Sequence, residues 1–178
     1  MPKDRAVFMD RDGTLVRDVP YCSSLDELEV LPGVPEAISR LNDGGYKAVV
    51  ITNQSGVGYG YFDEAMLKRI NDKMVAELAT KGARLDGIYH CPHLPEDRCD
   101  CRKPKTALFR KAATEMNIDL SRSFMIGDML SDVVAGQTAG CRTCLVTGLG
   151  TSSAVLLKIK PHQIAAGFSE AVDWILRQ

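Results

Sequence analysis

Cys91, His93, Cys99 and Cys101 fall in the spacing C-x-H-x5-C-x-C. Three thiolates and an imidazole make a full tetrahedral zinc shell. A closed shell leaves no position for water, so the spacing predicts a structural Zn²⁺ that pins a loop over about 90–104 and makes its folding depend on metal. His90 lies outside the pattern and reads as a strand-end residue. Arg102 and Lys103 follow the last ligand directly, so the zinc would hold two cations at the rim of a pocket. Cations fixed over carboxylates serve a phosphoryl group.

The carboxylates are present. In Asp10-Arg11-Asp12-Gly13-Thr14, one acid stands at the tip of an apolar run, where it can act as nucleophile or metal ligand. Asp12 points back over the same pocket if the chain turns, and Gly13 permits the turn. Paired carboxylates push their pKa values apart and give one acid-like and one base-like group. The competing reading is a solvated loop whose acids bond their own backbone. A second acidic segment, Gly127-Asp128-Met129-Leu130-Ser131-Asp132, also follows an apolar run. Asp128 meets Asp10 only if their two strands are neighbours. Converging carboxylates suit a hard cation such as Mg²⁺; capping of the next helix competes, more plausibly for Asp132 than for Asp128. Thr52-Asn53-Gln54-Ser55 opens a glycine-rich strand end whose N–H groups and hydroxyls can cradle phosphate, with a plain connecting loop as the alternative.

Elements that would position these groups alternate along the chain. Apolar, β-rich runs at 6–10, 47–52, 86–90, 123–128 and 143–148 read as strands, with a weak sixth at 163–167. Helices are expected from Pro32-Gly33-Val34-Pro35 to about 42, from an Asp63 cap to about 80, from Thr106 to about 116, from Ser131 or Asp132 to Gly140, and from a Ser169 cap to the end. This order predicts an α/β fold with a doubly wound, Rossmann-like parallel sheet. In such sheets ligands bind beyond the carboxyl ends of the strands. Each polar cluster above follows a strand.

Composition excludes several classes. The chain has 178 residues, which suits one domain over 1–178. It is 45% hydrophobic with a net charge of −1, so neither disorder nor bulk attraction to nucleic acid or anionic membrane is expected. No apolar stretch reaches the length of a membrane span. The N-terminal segment lacks a secretory pattern, and a cytoplasmic monomer is the expectation. In that setting clustered Cys and His read as metal rather than disulfide. Cys141-Arg142-Thr143-Cys144 lies between a helix end and a strand, so it reads as structural, and Cys22 as packing.

Taken together the motifs resemble the haloacid dehalogenase superfamily of phosphatases. DRDGT at 10–14 matches its first motif, Thr52 its second, Lys103 its third, and Asp128 with Asp132 its acidic fourth. TNQSGVG and CPHLPEDRCDCRKPK are similar to the heptose bisphosphate and histidinol-phosphate phosphatase subgroup, which carries the zinc loop. The resemblance implies that Asp10 forms an aspartyl-phosphate and Asp12 serves as acid, then base. It implies Mg²⁺ on Asp10, the backbone carbonyl of Asp12, and Asp128, with Thr52 and Lys103 binding the phosphoryl oxygens. Residues 15–51 leave no room for a large cap, so loop residues Asp18, Tyr21, Asn53, Gln54, Ser55 and Arg102 would select a small phosphorylated metabolite. TNQSGVGYGYF favours a heptose bisphosphate; the short zinc loop resembles the histidinol-phosphate branch instead. Met129 departs from the lysine usual in the heptose enzymes, leaving Arg17 or Lys105 to compensate. A zinc-stabilised binding module without turnover is the reading from another class; the filled catalytic positions weigh against it. The charge balance weighs against action on nucleic-acid ends.

Overall fold

The structure, a computed structural model, describes residues 2–147 and 160–178. Six strands, β1 (Arg5–Met9), β2 (Tyr46–Asn53), β3 (Gly87–Cys91), β4 (Phe124–Gly127), β5 (Arg142–Val146) and β6 (Gln163–Ala165), form one sheet in the order β3-β2-β1-β4-β5-β6. Every neighbouring pair is parallel. The helices are α1 (Val34–Asp43), α2 (Ser55–Gly58), α3 (Glu64–Ala79), α4 (Ala107–Glu115), α5 (Leu130–Ala139) and α6 (Phe168–Leu176). Chain order runs outward from β1 through β2 and β3, then returns to its other side at β4. That reversal puts the carboxyl ends of β1 and β4 side by side at the switch point.

Period-two alternation decides which face each strand residue covers. Val7 and Met9 of β1 are buried in the cluster that also holds residues of α1, α3 and α6. Ala6 and Phe8 are buried on the opposite face with residues of α4 and α5. Both faces are covered, which is why β1, β2, β4 and β5 read as nearly unbroken apolar runs. Phe8 packs its ring 5.0 Å from that of Phe109 on α4.

Three local features depart from the expected pattern. The glycine-rich segment after β2 winds into the single turn α2 rather than an open loop. The turn packs Gly56 against Phe62 and Gly58 against the carbonyl of Pro92, where a Cβ would come within 2.3 and 2.7 Å of those neighbours. The last helix starts two residues early, with Gly167 rather than Ser169 at the N-cap, and Phe168 is buried in its first turn. Ser169 instead donates its hydroxyl to the carbonyl of Gly33 at 3.4 Å. Asp63 does cap α3, accepting from the Met66 N–H at 2.8 Å. The strand expected at 143–148 ends at Val146, and Gly148 lies outside the described residues. Among the described residues no helix is long and apolar enough to cross a membrane.

Phe8 is fully buried and two residues before Asp10. Phe8→Ala should lower the unfolding free energy by about 3–5 kcal/mol, read from a denaturant titration. A loss below about 1 kcal/mol would contradict the packing described for that face.

Candidate active site

A cavity of about 450 Å³ opens over the ends of β1, β2 and β4. Asp10, Asp12, Thr52, Lys103 and Asp128 line it together, and Asp18, Tyr21, Asn53 and Arg102 complete its wall. Ser55 starts α2 and is not part of that lining. Met129, exposed on the wall, contributes an apolar surface.

Lys103 occupies the floor rather than the rim. It is 4% exposed. Its Nζ lies 2.9 Å from Asp10 Oδ1 and 2.6 Å from Asp132 Oδ1, and donates to the carbonyl of Ile51 at 2.7 Å. Burial alone would lower its pKa, but the two carboxylates outweigh it and hold the ammonium above its ordinary value. Asn53 fixes the backbone of this lysine: its Oδ1 accepts from the Lys103 N–H at 3.0 Å and its Nδ2 donates to the Lys103 carbonyl at 3.3 Å. The side-chain amide of Asn53, expected to face a ligand, is therefore engaged by the protein.

Asp132 caps the next helix, the competing reading given for it above, and adds an ion pair to Lys103 that its spacing did not announce. Its Oδ1 pairs with Lys103, and its Oδ2 accepts from the Met129 N–H at 3.0 Å, capping α5. Gly127 is required beside it, since a Cβ there would lie 2.3 Å from Asp132 Oδ2. Asp10 also has one oxygen engaged: Oδ1 accepts from the Arg11 N–H at 2.8 Å and faces Lys103. Oδ2 has no hydrogen-bond partner among the described residues, and Asp10 lines the cavity.

The turn at Gly13 has φ of +75°, and a Cβ there would meet Asp128 Oδ2 at 2.3 Å. Glycine thus supplies both the left-handed turn and the close approach that brings Asp128 to Asp10. One carboxylate oxygen from each of Asp10, Asp128 and Asp132 lies within 4.8 Å of the other two. Burial, and then the charge of Asp10, push the Asp128 pKa up to about 6. Such a crowded set of hard oxygen donors fits a divalent cation of the Mg²⁺ kind. Burial raises the Asp12 pKa too, against the opposing pull of Arg11. Asp12 is held by Arg11 and by Gln54, whose Nε2 donates to Asp12 Oδ2 at 2.7 Å and to Thr52 Oγ1 at 2.9 Å. Gln54 is buried beneath the cavity rather than exposed in it. Because Thr52 Oγ1 accepts from Gln54, its own O–H is free to donate.

In the loop after β3, Cys91 Sγ lies 3.0 Å from Cys101 Sγ, 3.7 Å from Cys99 Sγ and 3.4 Å from His93 Nδ1. His93 Nδ1 lies 3.2 Å from Cys101 Sγ. Zinc bonds of about 2.0–2.3 Å in tetrahedral geometry require donor separations of about 3.3–3.8 Å. Four convergent donors near that spacing, none in a disulfide, fit Zn²⁺. Arg102 follows this cluster and donates to the carbonyl of His93 at 3.3 Å. Neither cation expected to compensate Met129 faces the cavity: Arg17 pairs with Glu29, and Lys105 bonds the Cys99 carbonyl. Arg11 and Asn71, both buried and joined at 3.1 Å, were not singled out by their spacing.

A strand-tip aspartate, a second aspartate two residues on, a buried lysine and a carboxylate pair at a sheet's switch point define an aspartate-centred hydrolase. Comparison with known proteins agrees. A family model described as HAD-hydrolase-like matches residues 100–171. The D-glycero-beta-D-manno-heptose-1,7-bisphosphate 7-phosphatase of Haemophilus ducreyi is 43% identical over 153 residues, covering 82% of this chain and 84% of the relative. The same enzyme of Escherichia coli O6:H1 is 37% identical over 178 residues, covering 96% and 88%. The D,D-heptose 1,7-bisphosphate phosphatase of B. bronchiseptica, solved with magnesium and phosphate, superposes with a TM-score of 0.87 at 34% identity, covering 97% of this chain and 98% of that one. The chain belongs to this family of haloacid-dehalogenase-like phosphatases.

The raised pKa of Asp128 has a consequence for stability. Folded, the carboxyl keeps its proton up to about pH 6; unfolded, it loses it near 3.8. Folding therefore takes up a proton between these values, and stability falls as pH rises through the window. In chelator-treated protein, Asp128→Asn should flatten that fall and melt higher than wild type at pH 7. An unchanged pH slope would show that Asp128 does not carry the strain.

Proposed function

We propose that this protein is a Mg²⁺-dependent phosphomonoesterase that removes the 7-phosphate of D-glycero-D-manno-heptose 1,7-bisphosphate. The observation that carries the reading is Asp10, which lines the cavity: one oxygen is tied to Lys103 and the Arg11 N–H, while the other has no hydrogen-bond partner among the described residues. The substrate assignment rests on the names of the relatives.

Asp10 Oδ2 attacks phosphorus in line with the sugar oxygen. The P–O bond to the sugar breaks as a bond to Asp10 forms, and protonated Asp12 gives its proton to the departing oxygen. Asp12, now a carboxylate, takes a proton from water, which attacks the aspartyl-phosphate and frees inorganic phosphate and Asp10. The Thr52 hydroxyl would donate to a phosphoryl oxygen, and the Lys103 ammonium on the cavity floor would help to balance the negative charge there. Asp10, the backbone carbonyl of Asp12, and Asp128 would hold Mg²⁺, which supplies further charge neutralisation. Cys91, His93, Cys99 and Cys101 would hold a structural zinc that fixes Arg102 and the approach to Lys103. Asp18, Tyr21 and Arg102 stand where they can select the rest of the substrate. We read residues 1–178 as one catalytic domain acting in the cytoplasm, where thiols stay reduced.

Two measurements check this. kcat/KM for the heptose 1,7-bisphosphate should exceed that for histidinol phosphate by at least about tenfold, a difference of about 1.4 kcal/mol in transition-state binding. A preference for histidinol phosphate would overturn the substrate assignment. Metal analysis after removal of loosely bound ions should find about one zinc per chain. Less than about half an equivalent would remove the zinc from the account.

A further inference from the structure

Arg11 is among the largest fully buried side chains of the protein, at 1% exposed. A buried guanidinium is costly unless its donors are met. Here Nε lies 3.1 and 3.2 Å from the two oxygens of Asp12, and one terminal nitrogen lies 2.9 Å from Asp12 Oδ1. The same nitrogen donates to Gln54 Oε1 at 3.0 Å. The other donates to Asn71 Oδ1 at 3.1 Å. Gln54 has no freedom left: its Oε1 accepts from Arg11, and its Nε2 donates to both Asp12 and Thr52. The two planar groups, guanidinium and amide, thus orient each other and together grip one carboxylate. Asn71 is the far end of this chain of contacts. It sits in the middle of α3, is 9% exposed, and does not line the cavity.

We infer that Asn71 is a positioning residue which, by anchoring Arg11, fixes the direction in which the Asp12 carboxylate faces the reacting phosphate. The inference rests on the acid–base role given to Asp12 above. It adds a residue on a helix that carries none of the reacting groups. Arg11 has no other side-chain acceptor beyond Asp12, Gln54 and Asn71 among the described residues. Without Asn71, only groups that are themselves part of the grip remain to hold it. Proton transfer depends on geometry at the sub-ångström level, and a small misplacement can lower a rate by about a hundredfold.

The leaving group separates this role from a general structural one. An alkyl phosphate needs a proton delivered to its departing oxygen, whereas p-nitrophenolate leaves without one. Asn71→Ala should lower kcat on the sugar phosphate about 10- to 100-fold with little change in KM. With p-nitrophenyl phosphate it should show a rapid burst of nitrophenol followed by slow turnover, because only release of the aspartyl-phosphate still needs Asp12. Asn71→Asp, which keeps the acceptor oxygen, should restore most of the lost rate. Equal losses on both substrates with no burst, or no rescue by Asn71→Asp, would overturn the inference. Thermal unfolding of each variant identifies any that fails to fold; if Asn71→Ala is one, Asn71→Ser, whose hydroxyl is too short to reach Arg11, carries the test and must show the same burst with KM little changed. Asp12→Asn serves as the control: if it retains full activity on the sugar phosphate, the acid–base reading has failed. If it is inactive while Asn71→Ala behaves as wild type, only the inference on Asn71 has.

Discussion

One ammonium group organises the pocket. Lys103 Nζ bridges Asp10 and Asp132 and bonds the end of β2 through the Ile51 carbonyl. Without it, three carboxylates would crowd one buried space, and mutual repulsion would force protons onto them. With it, Asp10 is oriented by one oxygen, α5 is capped by an Asp132 whose other oxygen is neutralised, and the Cys/His loop is tied to β2. The buried pair is weak evidence of net stability, since desolvation offsets much of the attraction. Its value lies in fixing where each carboxylate points.

The rest of the site remains electrostatically uncomfortable, and that discomfort is useful. Asp128 is buried and held close to Asp10 beside a turn that only glycine tolerates, and burial first, then the charge of Asp10, raises its proton affinity. A site that prefers a cation or a proton to emptiness is one prepared for a divalent ion. Stability is sacrificed there for chemistry, the usual trade at functional positions.

Much of this was legible in the sequence. The doubly wound reading with its switch point already implied that the first and fourth strands are neighbours, and β1 beside β4 does bring Asp10 to Asp128. The Cys/His spacing translated directly into convergent donors, because ligand geometry at short range leaves few alternatives. Burial was the hidden variable. Lys103 was expected at a rim and lies on a floor, because its partners Asp10 and Asp132 are remote in sequence. Gln54 was read as facing a ligand, whereas its amide is buried against Asp12 and Thr52; Asn53 does line the cavity, with its amide also bonding the backbone of Lys103. Ser55 was read with them, but the turn α2 carries it off the cavity wall. Arg11 looked like the variable residue between two acids, and nothing in the spacing of Asn71 on α3 could reveal its contact with it. Such long-range polar pairings have no local periodicity and emerge only when the sheet is assembled.

The account turns on a covalent step at Asp10. Its most direct test is rapid acid quenching of the enzyme during turnover with Mg²⁺ and the heptose bisphosphate, followed by peptide mass mapping. The account predicts a phosphoryl group on the peptide carrying Asp10, absent when substrate is withheld. A phosphoryl group on another residue would contradict it. So would label from heavy-oxygen water entering the Asp10 carboxylate instead of the released phosphate, because water is to attack the phosphorus of the aspartyl-phosphate.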